Sequence, residues 1–291
     1  MKTQPAPRGG PDPDTRVPSF KLPPGACDCH VHIYGPAAQF PFAPAQRDRA
    51  FEAPRRALEA MHNTLGVDRC VIVHGGTHGT DLSVTLDALA SGGGRYRAVA
   101  LVDPDITDAR LEELHHAGVR AVRYGFVFSQ PDEAVVRRMA DRIAAFGWHM
   151  ALFLRGDDIV THADLFRTLP VPLLFDHMAG IDPANGGSDQ AAFRELARHL
   201  KDGAGWAKLS ALENHSHQPH PFADAIDLAR ALIDAAPDRV LWGTNWPHPD
   251  TAPGGPVNDG DLVDLIPLYA PDRETQRKLL VENPVALYGF G

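Results

Sequence analysis

Seven short runs of apolar and β-branched residues punctuate the chain after Pro54, at Arg69–Val73, Arg97–Val102, Val119–Arg123, His149–Leu154, Pro172–Phe175, Trp206–Leu209 and Arg239–Trp242. Each is bounded by Gly, Asp or Pro, and each is followed by a helix-competent stretch; Arg55 to Leu65 opens the alternation as a helical patch. An eighth run precedes them and ends in Asp28-Cys29-His30-Val31-His32. Runs too apolar to face water on either side are the pattern of parallel strands covered by helices. Eight such units predict a single α/β domain over residues 21–291, a (β/α)8 TIM barrel. A doubly wound open sheet fits less well, because no Gly-rich phosphate-binding turn follows the first strand and polar residues follow nearly every strand instead of gathering at one crevice.

Ahead of the first strand, residues 1–20 hold five prolines and almost no aliphatic side chains. Such a segment buries too little surface to offset the entropy of ordering, so a flexible N-terminal arm is expected there. A second irregular stretch, through Phe40-Pro41-Phe42, is long enough to fold over a site at the barrel mouth.

Charge and cysteine content narrow the partners. A formal net charge of −9 over 291 residues gives no basic surface for nucleic acid or for an anionic membrane, so an anionic small molecule must be held by a few local cations. Cys27, Cys29 and Cys70 have no C-x-x-C spacing and are too few for a disulfide framework, which suits free thiols in a reducing compartment. No apolar run reaches the roughly 18 residues of a membrane span, and the N-terminus has no signal-peptide core. A cytoplasmic protein is expected, with its oligomeric state left open.

Candidate chemistry collects at the strand ends. His30 and His32 sit two residues apart, so in a strand both rings face one side. His74 and His78 follow strand two, Asp103 strand three, Arg123 strand four, Arg155 strand five, His177 strand six, Ser210 strand seven, and Asn245 with His248 strand eight. In a barrel these positions meet at one mouth. His62, His149, His162 and His199 have no motif around them and are read as structural. His215, His217 and His220 lie in a Pro-containing loop, where a polar segment is a better reading than a metal cluster.

At this point the residues resemble a known family. Asp28-Cys29-His30-Val31-His32, Phe175-Asp176-His177-Met178 and Trp242-Gly243-Thr244-Asn245-Trp246-Pro247-His248-Pro249 are similar to the motifs of the amidohydrolase superfamily, in the branch of 2-pyrone-4,6-dicarboxylate lactonase and galactarolactone isomerase. The resemblance runs from Leu22 to Tyr288. In the superfamily at large it implies a divalent metal held by the histidines and a strand-eight Asp. In the lactonase branch it implies no metal: histidines matching His30, His32 and His177 polarise a lactone carbonyl while the strand-eight Asp activates water.

This chain has Asn245 at the strand-eight position, and an amide neither accepts a proton near neutral pH nor ligates metal well. Three readings follow: an inactivating substitution in a lactonase, a non-catalytic binder, or an enzyme that needs no activated water. The third matches the isomerase of the branch, in which a substrate hydroxyl attacks the lactone carbonyl. Proximity then supplies an effective molarity on the order of 10⁵ M or more. The expected reaction is isomerisation of a sugar-diacid lactone, D-galactaro-1,5-lactone to the 1,4-lactone, without cofactor or metal. His30 and His32 are expected to stabilise the oxyanion, His177 to relay the proton and Asn245 to give hydrogen bonds only. Arg123, His78, Arg155, Ser210 and His248 are expected to bind the substrate, a small anionic lactone. The segment Glu213 to Gln218 offers groups for hydroxyls, and residues 126–130 lack the second basic residue that a planar dicarboxylate would want.

Overall fold

A computed structural model describes residues 10–47, 50–128, 130–249 and 257–291. The eight expected strands form, at β1 Cys27–Val31, β2 Arg69–Val73, β3 Tyr96–Ala100, β4 Val119–Gly125, β5 His149–Phe153, β6 Leu173–Phe175, β7 Gly205–Leu209 and β8 Val240–Trp242. They pair in parallel in sequence order, with helices between them, as a TIM barrel. Strand ends differ from the expected ones by one or two residues. The two-residue differences are at β3, where Val102 lies past the last strand residue, Ala100, and at β4, which runs on from Arg123 to Gly125.

Alternation along the strands sorts the side chains. Val71 and Val73 point inward with Cys27, Cys29, Val99, Ala121, Ala151, Leu174 and Leu241, whereas Cys70 and Ile72 join the layer under the helices. The amino-terminal end of the barrel is plugged by Tyr288 and Phe290. Phe290 lies beneath the guanidinium groups of Arg97 and Arg69, at 4.9 and 5.5 Å from the ring centroid, and Arg97 also donates to the Gly289 carbonyl at 2.9 Å. With that end filled, the carboxyl end is where a ligand can enter.

The β8-to-β1 seam is made just past the strands. Asn245 N–H donates to the His30 carbonyl at 2.9 Å and His32 N–H to the Trp246 carbonyl at 2.8 Å. Gly243 is required there, since a Cβ would stand 2.8 Å from the His30 nitrogen. Asp28 fastens the same seam from outside the barrel. Its buried carboxylate accepts from Thr244 N–H at 3.0 Å, from the Thr244 hydroxyl at 2.6 Å and from His30 N–H at 3.1 Å. The two family-like motifs on β1 and β8 are therefore joined by the Asp28 carboxylate itself.

Of the expected flexible arm, residues 1–9 lie outside the described residues. In the remainder, Arg16 ion-pairs with Asp261 and Asp264 at 2.7 and 2.6 Å, and Phe20 N–H donates to Asp264 at 2.8 Å. No helix among the described residues is long and apolar enough to cross a membrane.

Candidate active site

The floor of the barrel mouth is built around a carboxylate. Asp176, fully buried at the end of β6, lies 3.0 Å from the Lys208 ammonium and 2.9 Å from Arg123 Nε, with His30 Nδ1 at 3.5 Å. Burial alone would raise its pKa, yet Lys208, His30 and Arg123 outweigh that and hold the group well below the usual carboxylate range. Lys208 is itself fully buried on β7, so its charge is tolerable only because Asp176 pairs with it. Arg123 uses Nε on Asp176 and lays its guanidinium 4.8 Å from the Phe153 ring centroid. Among the described residues its terminal nitrogens have no hydrogen bond, and the side chain lines a cavity of about 340 Å³. That volume is at the small-ligand end of typical sites.

Three imidazoles meet on this floor. The His30 ring centroid is 5.0 Å from that of His32 and 4.4 Å from that of His177. His177 owes its placement to a left-handed turn, with φ of 52°, 52° and 58° at His177, Met178 and Ala179. The turn ends in Gly180, where a Cβ would collide with the Leu154 carbonyl. Ser210 Oγ holds His177 Nδ1 at 2.8 Å. Burial pushes His177 and His30 well below the ordinary histidine range, and burial followed by Arg123 pushes His32 to about 3, so all three are neutral near pH 7.

Tautomers then assign roles. His32 Nδ1 is 2.7 Å from the Val73 carbonyl, which can only accept, so Nδ1 carries the proton and Nε2 is a lone pair. While neutral, His32 accepts a proton and does not donate to an oxyanion, the reverse of the role expected for it. His30 Nδ1 lies 3.3 Å from Lys208 Nζ, and its Nε2 is buried with no hydrogen-bond partner among the described residues.

Of the residues expected at the site, His32, Arg123, His177 and Asn245 line the cavity. His30 does not; it lies fully buried against His32 and His177. Ser210 is also buried and reaches the site through His177. Four of the five expected substrate contacts are absent from the lining, Ser210 among them. His78 donates from Nδ1 to the Pro41 carbonyl at 3.1 Å and accepts Gly35 N–H on Nε2 at 3.2 Å, so it latches the loop that brings Gln46 to the cavity. Arg155 donates to the Val127 carbonyl at 2.7 Å. His248 is turned between Glu213 and Asp259. In these last three cases, loop carbonyls or carboxylates offered the side chain better partners than the open mouth. The lining adds Asn214 and His215 from the anticipated polar segment, together with Tyr34, Gln46 and Thr77.

The divalent metal implied by the wider superfamily does not fit these residues. Asn245 supplies an amide where a ligating carboxylate would be needed, and the nearby Asp176 is already matched by Lys208 and Arg123. A dication beside an ammonium and a guanidinium would meet repulsion, with no unpaired carboxylate among the described lining residues to offset it. Among the described residues no group of three or more His, Cys, Asp or Glu is arranged to hold a metal.

A parallel barrel with its polar side chains gathered at the carboxyl mouth defines an α/β-barrel with an enzyme-type site. The chain belongs to the amidohydrolase family, whose pattern matches residues 27–290. It is 40% identical over 285 residues to a 2-pyrone-4,6-dicarboxylate hydrolase from Comamonas testosteroni, covering 93% of this chain and 92% of that protein. It is 29% identical over 282 residues to a D-galactarolactone isomerase from Agrobacterium fabrum, covering 94% of each. An apo crystal structure of an Agrobacterium tumefaciens protein superposes with a TM-score of 0.85 at 25% identity, over 96% of this chain and 99% of that one.

Proposed function

We propose that this protein is a lactone-acting enzyme, and specifically that it isomerises a sugar-diacid lactone by intramolecular acyl transfer, without metal. The observation that carries this is the carboxylate-free wall of the cavity. Among the described lining residues none is a carboxylate, and Asn245 stands where a water-activating base would be. The substrate class follows from charge. Arg123 is the one lining side chain, among those described, with a permanent positive charge, and around it are amides, hydroxyls and imidazoles. One carboxylate and several hydroxyls suit that surface; two carboxylates do not.

In this mechanism the terminal N–H groups of Arg123 hold the free carboxylate of the substrate. A substrate hydroxyl attacks the lactone carbonyl and gives its proton to His32 Nε2. The oxyanion accepts from the Asn245 amide and from His177 Nε2–H, the tautomer present when Ser210 donates to Nδ1. Collapse expels the former ring oxygen, which takes the proton back from His32. No water is consumed.

A hydrolase remains the second reading, because the relative at 40% identity is named a hydrolase and the one at 29% an isomerase. An NMR time course on D-galactaro-1,5-lactone separates the two. The protein is expected to form the 1,4-lactone, and Asn245→Asp to raise the ratio of open-chain diacid to 1,4-lactone by about 10² as water regains a base. Diacid as the direct product of the unaltered protein would favour the hydrolase.

A further inference from the structure

Two loops meet in the cavity wall. The one after β7 contributes Asn214 and His215, and the one after β8 contributes Asn245 and Pro249. Behind them, His248 Nδ1 lies 3.3 Å from Glu213 Oε1 and His248 Nε2 lies 3.0 Å from Asp259 Oδ1, with side-chain exposures of 2%, 3% and 0%. Both ring nitrogens face carboxylate oxygens, and with both carboxylates ionised the doubly protonated imidazolium satisfies both contacts. Burial opposes that charge, but Asp259 and Glu213 outweigh it and hold the imidazolium up to about pH 10.

The joined loops contain non-glycine residues in left-handed backbone, with φ of 55° at Ala211, 66° at Asn245 and 57° at His248. Such conformations persist where the surroundings over-determine them. The coupling to the wall is direct. Glu213 immediately precedes Asn214, and His248 N–H donates to the Asn245 carbonyl at 2.8 Å. Among the described residues, Glu213 Oε2 and Asp259 Oδ2 have no hydrogen-bond partner, so each carboxylate holds the ring through one oxygen.

We propose that Glu213, His248 and Asp259 are positioning residues. They form a buried charged clamp that ties the β7 loop, the β8 loop and the helix Asp259–Asp264 together and sets where Asn214, His215 and Asn245 meet the hydroxyls of a ligand. The hydroxyl part of this rests on the substrate class proposed above. A purely structural triad would change stability and leave recognition alone; a positioning clamp discriminates between hydroxylated and plain ligands of the same charge.

The test compares the unaltered protein with Glu213→Gln and His248→Gln, using calorimetric binding of D-galactonate and of hexanoate, both six-carbon monoanions. Glu213→Gln is expected to weaken galactonate at least about tenfold while leaving hexanoate within about twofold, and to raise KM for the lactone more than it lowers kcat. His248→Gln should show the same selectivity if it folds; Glu213→Gln decides if it does not. A folded Glu213→Gln protein with lowered Tm and unchanged galactonate binding overturns the proposal. Should the unaltered protein bind no galactonate and turn over no lactone, the substrate class fails, and side-chain amide NMR signals still decide the clamp. Asn214 and Asn245 signals that shift in Glu213→Gln support it, and signals that stay in place overturn it.

Discussion

Replacing Lys208 with methionine lowers the free energy of unfolding by about 3–5 kcal/mol, the range for breaking a buried ion pair by removing one partner. The reason is local. Lys208 and Asp176 are both fully buried and 3.0 Å apart, so removing the ammonium leaves a carboxylate charge shielded from bulk solvent with its nearest counter-charge gone. Arg123 Nε and His30 Nδ1 remain near Asp176 and keep the loss from being larger. Removing both charges together, as Lys208→Met with Asp176→Asn, should recover part of the stability, because an unpaired buried charge costs more than the pair contributes. Urea unfolding of the two single variants and the double variant measures this. Additive losses would mean that the pair is not coupled.

Arg123→Ala lowers kcat/KM on an anionic lactone by roughly 30- to 160-fold, corresponding to about 2–3 kcal/mol for one charge-assisted contact. Arg123→Lys restores little of it. A lysine has no Nε to hold Asp176 Oδ2 while a planar pair of N–H groups faces the substrate, and its point charge does not stack on Phe153 in the same way. The loss should appear on lactones that carry a carboxylate and be small on neutral ones. Steady-state kinetics on matched charged and uncharged lactones checks it, and an unchanged specificity constant on every anionic lactone would remove Arg123 from substrate binding.

Residue pattern carried the barrel and the core of the site further than it carried the details. Strand runs bounded by breakers placed β2 at its observed residues and the other strands within one or two, because a barrel interior demands apolar side chains on both faces of each strand. His32, Arg123, His177 and Asn245 line the cavity because each lies at or just past the carboxyl end of a strand. The same position misplaced His78, Arg155 and His248, since a strand end fixes the height of a side chain and says nothing of whether a loop carbonyl or carboxylate turns it away.

Lys208 and Asp176 were missed, although a signal for each was present. A lysine within Trp206-Ala207-Lys208-Leu209, in a strand covered on both faces, requires a buried partner, and Asp176 beside His177 is one strand away across the sheet. Tyr34, Gln46 and Thr77 sit in loops without periodicity, where only the folded path shows which side chains face inward.

Acyl transfer within the substrate has an isotopic consequence that water-dependent routes cannot imitate. D-galactaro-1,5-lactone is converted by the protein in water enriched in oxygen-18, and the first-formed product is followed by mass spectrometry with the uncatalysed background subtracted. We predict 1,4-lactone of unlabelled mass, because the attacking oxygen belongs to the substrate and no bond to a water oxygen forms. Oxygen-18 in the 1,4-lactone, or labelled diacid appearing ahead of it, would show that water enters at the carbonyl and would contradict intramolecular transfer.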